Sequence, residues 1–394
     1  MKKIWSVLLC LTMILSLAAC GNGKSTEGTN NPPQTDQSGE PAQSDDANAP
    51  KTSGLKIAYS VGYVGNAWRS QHVASLEEAA EAYKADGTIA EFQVVSADND
   101  STTQISQCNA MLAEGLDALL ICAVSPTTLT SVVETAKEMG TLVVIANDPA
   151  VYEGTYCVVN NAYKYSMLYN RWFATQVDEG AGVVYISGNP GNGTDMIRDQ
   201  AVYDAIEQYK WNLLAEAPGK RNQAEAQTVM TTFLSAYPNI EGVLCQNVTT
   251  EGIINAYKTV GKDLPPVCGD NVLSTVRMWG ELGDYETIGV TNSPAVSAAA
   301  LHFAVLMLQG YELKDDALTA NPLDDSLINA VQVDPPVAIT LDGTLPDDIM
   351  ADYPLLTVLS RDEALEMYKD EADTYTPDNA MSREDVLNTW FKAS

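Results

Sequence analysis

Histidine is almost absent: the 394-residue chain has two, His72 and His302, both inside stretches of helical period. With no His-Glu-x-x-His and no Gly-x-Ser-x-Gly arrangement, zinc-hydrolase and serine-hydrolase chemistry lack their groups. No catalytic residue, metal site or cofactor is predicted. Basic residues are also few, 22 against 52 acidic ones, for a formal charge of −30. A chain this acidic, without a basic cluster, repels phosphate backbones, so nucleic acid is excluded as a partner. The seven cysteines include no Cys-x-x-Cys pair. Cys108, Cys122, Cys157, Cys245 and Cys268 therefore read as small buried apolar residues rather than a disulfide framework. Apolar runs are short as well. The longest, Ile4 to Ala19, is interrupted by Cys10, Thr12 and Ser16 and falls below the roughly 20 residues that span a bilayer.

That run follows Lys2 and Lys3, the pattern of a signal peptide. Its end, Leu17-Ala18-Ala19-Cys20-Gly21, resembles the bacterial lipobox, which implies cleavage before Cys20 and a lipid on its thiol. An ordinary secretory leader with an incidental cysteine is the alternative. Gly21 to Gly54 contains no Leu, Ile, Val, Phe, Tyr or Trp, so it cannot offset its own ordering entropy and is expected to be a disordered tether. A lipidated cysteine on such a leash predicts an extracytoplasmic protein anchored to the cell membrane. The anchor suits a Gram-positive organism, where no outer membrane retains a soluble binder.

From Leu55 onward, short apolar runs alternate with segments of helical period. Lys56–Ser60 reads as a strand, followed by a helix Arg69–Tyr83 in which Val73, Leu76, Ala80 and Tyr83 share a face. The alternation continues through Leu142–Ala146, restarts after Tyr156–Val159 and runs to Thr287–Thr291. Roughly 340 residues exceed what one core usually serves, so the expected fold is α/β with two Rossmann-like lobes, each built on a parallel sheet. A Pro-rich strand region, Ala330–Thr340, and two capping boxes, Ser360–Glu363 and Ser382–Asp385, complete the chain.

In open parallel sheets, ligands bind beyond the carboxyl ends of the strands. Here those ends carry Gly65-Asn66-Ala67-Trp68-Arg69, Asp98-Asn99-Asp100, Asn147-Asp148, Gly188 to Arg198, Gln246-Asn247, Asp270-Asn271 and Asn292. Amides, carboxylates and guanidinium groups beside a tryptophan suit a sugar ring, whose hydroxyls donate and accept and whose C–H face stacks on an aromatic. The same residue types also cap helices and make turns. That reading fits Asp98, Asn99 and Asp100 best and is equally open for Asn147 and Asp148. Arg198 could be a surface charge and Trp68 a core residue.

These motifs, in this order from Leu55 to Thr340, make the chain similar to the type I periplasmic binding proteins, in the ribose- and xylose-binding branch. The resemblance also rests on Gln104, Gln107, Ser125-Pro126-Thr127-Thr128-Leu129 and Thr291-Asn292-Ser293-Pro294. It implies two lobes joined by a three-strand hinge near Asn160, Asn292 and Leu327, with lobe 1 at 55–160 plus 293–326 and lobe 2 at 161–292 plus 327–394. A small sugar or sugar-like ligand would lie between them, bound by Asn66, Trp68, Arg69, Asn147, Asp148, Arg198, Asn247, Asp270 and Asn292. The implied role is that of a monomeric solute-binding lipoprotein serving an ABC permease and its ATPase subunits, or a sensor that presents its ligand to a membrane receptor. Two departures stand out: Ala67 replaces one of two adjacent aromatics, and Gly219-Lys220-Arg221-Asn222 stands where the family has an aromatic. The added cation would suit an acidic, phosphorylated or otherwise unusual polar ligand.

An enzyme alternative comes from Asp98-Asn99-Asp100-Ser101-Thr102, which matches the Asp-x-Asp-x-Thr pattern of haloacid-dehalogenase-like, Mg-dependent phosphatases, with Gly269-Asp270 imitating their later acidic motif. A helix cap after the second strand explains the same residues more simply. The Gly188-to-Thr194 loop has the glycines of a phosphate cradle without the lysine, and reads as a strand-to-helix turn.

Overall fold

The structure, a computed structural model, describes residues 50–393; the leader, Cys20 and the chain to residue 49 lie outside it. The predicted tether reached Gly54, yet the chain is docked from Lys51, whose N–H donates to the Leu308 carbonyl at 3.0 Å. Lys51 Nζ also meets Asp117 at 2.7 Å.

The first half alternates strand and helix as far as β4, which a loop joins directly to β5: β1 Leu55–Val61, α1 Ala67–Ala85, β2 Ile89–Ser96, α2 Ser101–Ala113, β3 Ala118–Cys122, α3 Thr130–Glu138, β4 Leu142–Asn147 and β5 Tyr156–Asn160. The second half repeats it with α4 Ala162–Phe173, β6 Gly182–Ser187, α5 Gly193–Tyr209, β7 Asn212–Pro218, α6 Gln223–Ala236, β8 Gly242–Cys245, α7 Thr250–Val260, β9 Cys268–Asp270, α8 Leu273–Gly280 and β10 Ile288–Val290. The chain returns to the first lobe for α9 Val296–Leu308, β11 Thr319–Asn321 and β12 Asp324–Val333. It then crosses again for β13 Val337–Thr340, α10 Asp347–Met350, β14 Thr357–Ser360 and α11 Arg361–Met367, and ends in α12 Arg383–Trp390.

One seven-stranded sheet has the order β11-β12-β5-β4-β3-β1-β2, parallel except for the edge strand β11. The other lobe holds β7-β6-β8 and β9-β10-β13-β14, linked by a parallel bridge between Val243 and Val267. Both lobes thus carry the 2-1-3-4-5 order of doubly wound sheets, whose crevice lies where the order reverses, between β1 and β3 and between β6 and β8. The period of two sorts β1: Ile57, Tyr59 and Val61 face one core and Ala58 the other. Helix α9, apolar all round, is buried between that sheet and α12.

Three segments cross between lobes: after β5 at Asn160–Asn161, after β10 at Thr291–Pro294, and between β12 and β13 at Asp334–Pro336. The last lies several residues beyond Leu327. Residues 327–333, assigned above to lobe 2, belong to β12 of the first sheet: Ala330–Val333 pair with β5 and Ile328 with β11, and Val331 and Val333 enter its core. Pro335 and Pro336 then interrupt what reads as one strand region and release the chain into the other lobe. The tail crosses a fourth time. From α8, where Ser274 N–H meets the Asp373 carbonyl, it passes Gln71 and Thr291 and brings Val386, Trp390 and Phe391 into the first core.

Both capping boxes form, at Ser360 with Glu363 and Ser382 with Asp385. Helices α8 and α10 and the strands β11 and β14 have no counterpart in the expected element order. Cys108, Cys122, Cys157, Cys245 and Cys268 are buried and unbridged. No helix among the described residues is long and apolar enough to cross a membrane.

Candidate functional site

The loops beyond β1, β3 and β4 assemble one half of the site. Asn66 caps α1, its Oδ1 accepting from Arg69 N–H at 2.8 Å, and so fixes where the helix begins. That start places Trp68 and Arg69 at the sheet end. Arg69 forms an ion pair with Asp148 through Nη2 and reaches Cys122 Sγ through Nη1 at 2.8 Å. Burial pushes the Asp148 carboxyl up, but the Arg69 guanidinium outweighs it and, with a smaller pull from Arg221, holds it below the ordinary carboxylate value. Asn147 adopts a left-handed φ of 74°. Its Nδ2 donates to Asp148 Oδ1 at 2.9 Å and its Oδ1 accepts from Asn160 Nδ2 at 3.2 Å, so it is both a turn residue and a support for Asp148.

Trp68 is held on both counts that matter for its orientation. Its ring stacks on His72 at 5.2 Å between centroids, and Nε1–H donates to the Asn292 carbonyl at 2.8 Å. His72 Nδ1 lies 2.8 Å from the Pro294 carbonyl, which can only accept, so Nδ1 carries the proton and Nε2 accepts from Tyr59 O–H. Burial, aided by Arg69, lowers His72 to about 3, and the ring is neutral. Trp68 and His72 thus moor α1 to the second crossing segment.

The other half is centred on Arg198, which is 1 % exposed. It comes from α5, which Asn192 starts by accepting from Asp195 N–H. Nη1 donates to Asn247 Oδ1 and Nη2 to Asn292 Oδ1, both at 2.9 Å, while its guanidinium carbon sits 4.7 Å from the centre of the Tyr165 ring. Arg198 Nε and Asp270 Oδ1 are buried without a protein partner. Asp270 Oδ2 accepts from Val248 N–H. Burial raises its carboxyl to about 6, against the downward pull of that N–H and of Arg198. Val248 pays for the contact with a φ of 62°, a costly conformation for a β-branched residue.

The predicted residues therefore gather into two clusters, Arg69–Asp148–Asn147 and Arg198–Asn247–Asn292 with Asp270, bridged by Trp68 at Asn292. Asn66 stays exposed at the rim. Asp98 and Asn99 form a turn with positive φ, and Asp100 caps α2 by accepting from Thr103 N–H. Among the described residues no cluster of side chains could hold a metal ion.

Three contributors are not among the predicted site residues. Cys122 looks like any core cysteine until Arg69 is seen against it. Gln246 is buried with Nε2 bonded to Tyr185 O–H and Asp199, a floor for the site. Asp195 reads as a helix-start acid, yet it is fully buried and receives Arg221. A Cβ on Gly188 would come 2.5 Å from both Asp195 and Gln246, so glycine is what allows this packing.

Comparison with known proteins fits this geometry. Residues 57–312 match the family model described as periplasmic binding protein domain. The chain is 26% identical over 267 residues to a ribose import binding protein of Bacillus subtilis (strain 168), covering 67% of this chain and 80% of that one. It is 24% identical over 236 residues to a xylitol-binding protein of Mycolicibacterium smegmatis, covering 58% and 66% respectively. An ABC transporter solute-binding protein from Thermobispora bispora superposes with a TM-score of 0.59 at 22% identity, covering 85% of this chain and 94% of that one. Two doubly wound lobes, a crevice at facing strand ends and a family model covering most of the fold agree: the chain belongs to the periplasmic binding protein family, in its type I, sugar-transporter class.

Proposed function

We propose that this protein binds a small neutral polyhydroxylated molecule, a pentose or a polyol of similar size, between its lobes and delivers it to an ABC importer. The observation that carries the reading is the pair of buried, partnerless atoms Arg198 Nε and Asp270 Oδ1. One can only donate and the other, when ionised, only accept. Adjacent hydroxyls satisfy both, and each buried group left unpaired costs about 1–3 kcal/mol, so occupancy is favoured and a missing hydroxyl is penalised. Charges in the crevice support a neutral ligand: Arg69 is matched by Asp148, and Arg198 with Arg221 by Asp195 and Asp270. The relatives named for ribose and xylitol point to the same class of ligand.

The protein acts by binding and closing, without a chemical step. In this reading Cys20 carries the lipid, the tether lets a monomeric binding domain reach the permease, and the site lies outside the cytoplasmic membrane of a Gram-positive cell. A thermal-shift screen of pentoses, hexoses, polyols, sugar acids and nucleosides tests the ligand class, because a tight ligand stabilises the folded state by mass action. Stabilisation by a pentose or polyol is expected; stabilisation by sugar acids alone would replace the neutral ligand with an anionic one.

A further inference from the structure

Two residues from opposite lobes meet beside the crevice, and neither belongs to the ligand-binding set. Gly193 opens α5, the helix that carries Arg198. Its backbone is not left-handed, so conformation alone does not call for glycine there. What calls for it is a neighbour: a Cβ on Gly193 would come 2.5 Å from Leu323 Cδ2 and 3.6 Å from Leu323 Cδ1. The leucine methyls occupy the space that any other residue at this position would fill.

Leu323 belongs to the first lobe, at the tip of the β11–β12 hairpin, where Asn321 pairs with Asp324 across Pro322 and Leu323. The tip is held in place. Pro322 has a fixed φ, and Asn321, 2% exposed, accepts from Leu323 N–H at 3.0 Å through Oδ1. Asn321 Nδ2 donates to the Ala150 carbonyl at 3.0 Å and to Asn329 Oδ1 at 3.1 Å, and Asn329 Nδ2 donates to the Thr155 carbonyl at 3.1 Å. These bonds fasten the hairpin to the loop between β4 and β5, which begins at Asp148. Through Leu323 and Gly193, the loop of Asp148 on one wall of the crevice therefore rests on the helix of Arg198 on the other.

We infer that Leu323 is a positioning residue for ligand binding, a latch of the first lobe seated on Gly193 of the second, made when the lobes are together and broken when they part. Hinge rotation separates the walls of the crevice, so a contact between them acts only in the closed form. An apolar side chain suits this task. Its burial stabilises the closed form in proportion to the area covered, and no polar group loses its partner when the lobes separate. Glycine keeps the seat flat, so one leucine sets the spacing between the two walls.

The effect on affinity rests on the proposal that the lobes close on a polyol; the contact itself does not, and the test separates the two. Gly193→Cys combined with Leu323→Cys in the mature protein places two thiols at the contact. Mild oxidation should join positions 193 and 323, seen as a linked peptide in mass spectrometry, while Cys108, Cys122, Cys157, Cys245 and Cys268, buried and unbridged, stay reduced. Absence of the linked peptide overturns the inference whatever the ligand proves to be.

The second arm is stopped-flow kinetics with whichever of D-ribose, D-xylose, xylitol and myo-inositol binds the wild type most tightly. Leu323→Ala should release the ligand about threefold to tenfold faster, with an association rate within about twofold of wild type and an unchanged ligand-free melting temperature. Gly193→Leu fills the seat and should weaken binding by about tenfold or more. Adding Leu323→Ala to Gly193→Leu should recover most of that loss, because the room is remade from the other side. Unchanged release by Leu323→Ala, or no recovery in the double variant, overturns the latch and leaves the polyol reading intact. A wild type that binds none of the four compounds overturns the polyol reading, and the latch then stands or falls on the cross-link.

Discussion

Arg198 Nη2 donates to Asn292 Oδ1 at 2.9 Å, and Asn292 lies on a segment that crosses between the lobes. The backbone carbonyl of the same asparagine accepts from Trp68 at 2.8 Å, so one crossing residue touches α5 of one lobe and α1 of the other. Asn292→Ala removes the acceptor and leaves a buried guanidinium N–H unpaired, a cost of about 1–3 kcal/mol. The variant should bind its ligand roughly tenfold or more weakly in calorimetric titration. Unchanged affinity would mean that the link does not orient Arg198.

Asp270, raised by burial to about 6 from an ordinary 3.8, makes binding and stability respond to pH in opposite senses. A ligand hydroxyl donates to the ionised carboxylate, so affinity should fall as pH drops through 6 and level off above about 7. Stability behaves otherwise: the contribution of a group with a raised pKa is fully present below 3.8 and is lost as pH rises through 6. Asp270→Asn should therefore melt higher than wild type at pH 7.5, show no such gain at pH 4, and bind weakly at both. Melting curves and titrations at the two pH values check this; a wild-type affinity that is flat between pH 5 and 7.5 contradicts it.

Val248 occupies left-handed backbone so that its N–H can meet Asp270. Glycine bears that conformation without the roughly 1–2 kcal/mol that an L side chain costs there. Val248→Gly should raise unfolding stability by about 1 kcal/mol in a denaturant titration, after its greater freedom when unfolded is counted. A loss of stability would show that the valine side chain, 36% exposed, packs more usefully than its surroundings suggest.

Trp390, 5% exposed, lies against Phe303 at 6.2 Å between ring centres, so the tail completes the first core. Trp390→Ala should cost about 3–5 kcal/mol. Truncation before α12 should leave an apolar face open and cause aggregation on gel filtration, whereas a soluble, ligand-binding truncate would make the tail an accessory.

Much of this architecture was legible because an apolar strand period and an apolar helix period differ, and β1 through β4 show the two in turn. The site was legible in part because the topology delivers strand ends to one crevice, which turns a list of loop residues into neighbours. What stayed hidden depends on contacts distant in sequence. Arg221 pairs with Asp195, 26 positions earlier, and nothing in the sequence marks that contact, because Asp195 alone reads as a helix-start acid. The boundary near Leu327 was misplaced because β12 and β13 share composition, and only pairing with β5 or β10 separates them. The tail's fourth crossing leaves no pattern, since it is made by backbone carbonyls such as Pro377, which accepts from Thr291 Oγ1 at 2.6 Å.

The central claim is that a polyol binds between two lobes and draws them together. Small-angle X-ray scattering of the mature protein, with and without a saturating ligand from the thermal-shift screen, tests it most directly. The account predicts a smaller radius of gyration with ligand, and the same radius in ligand-treated Asp270→Asn protein as in the ligand-free wild type. A saturated wild type whose scattering does not change would contradict it.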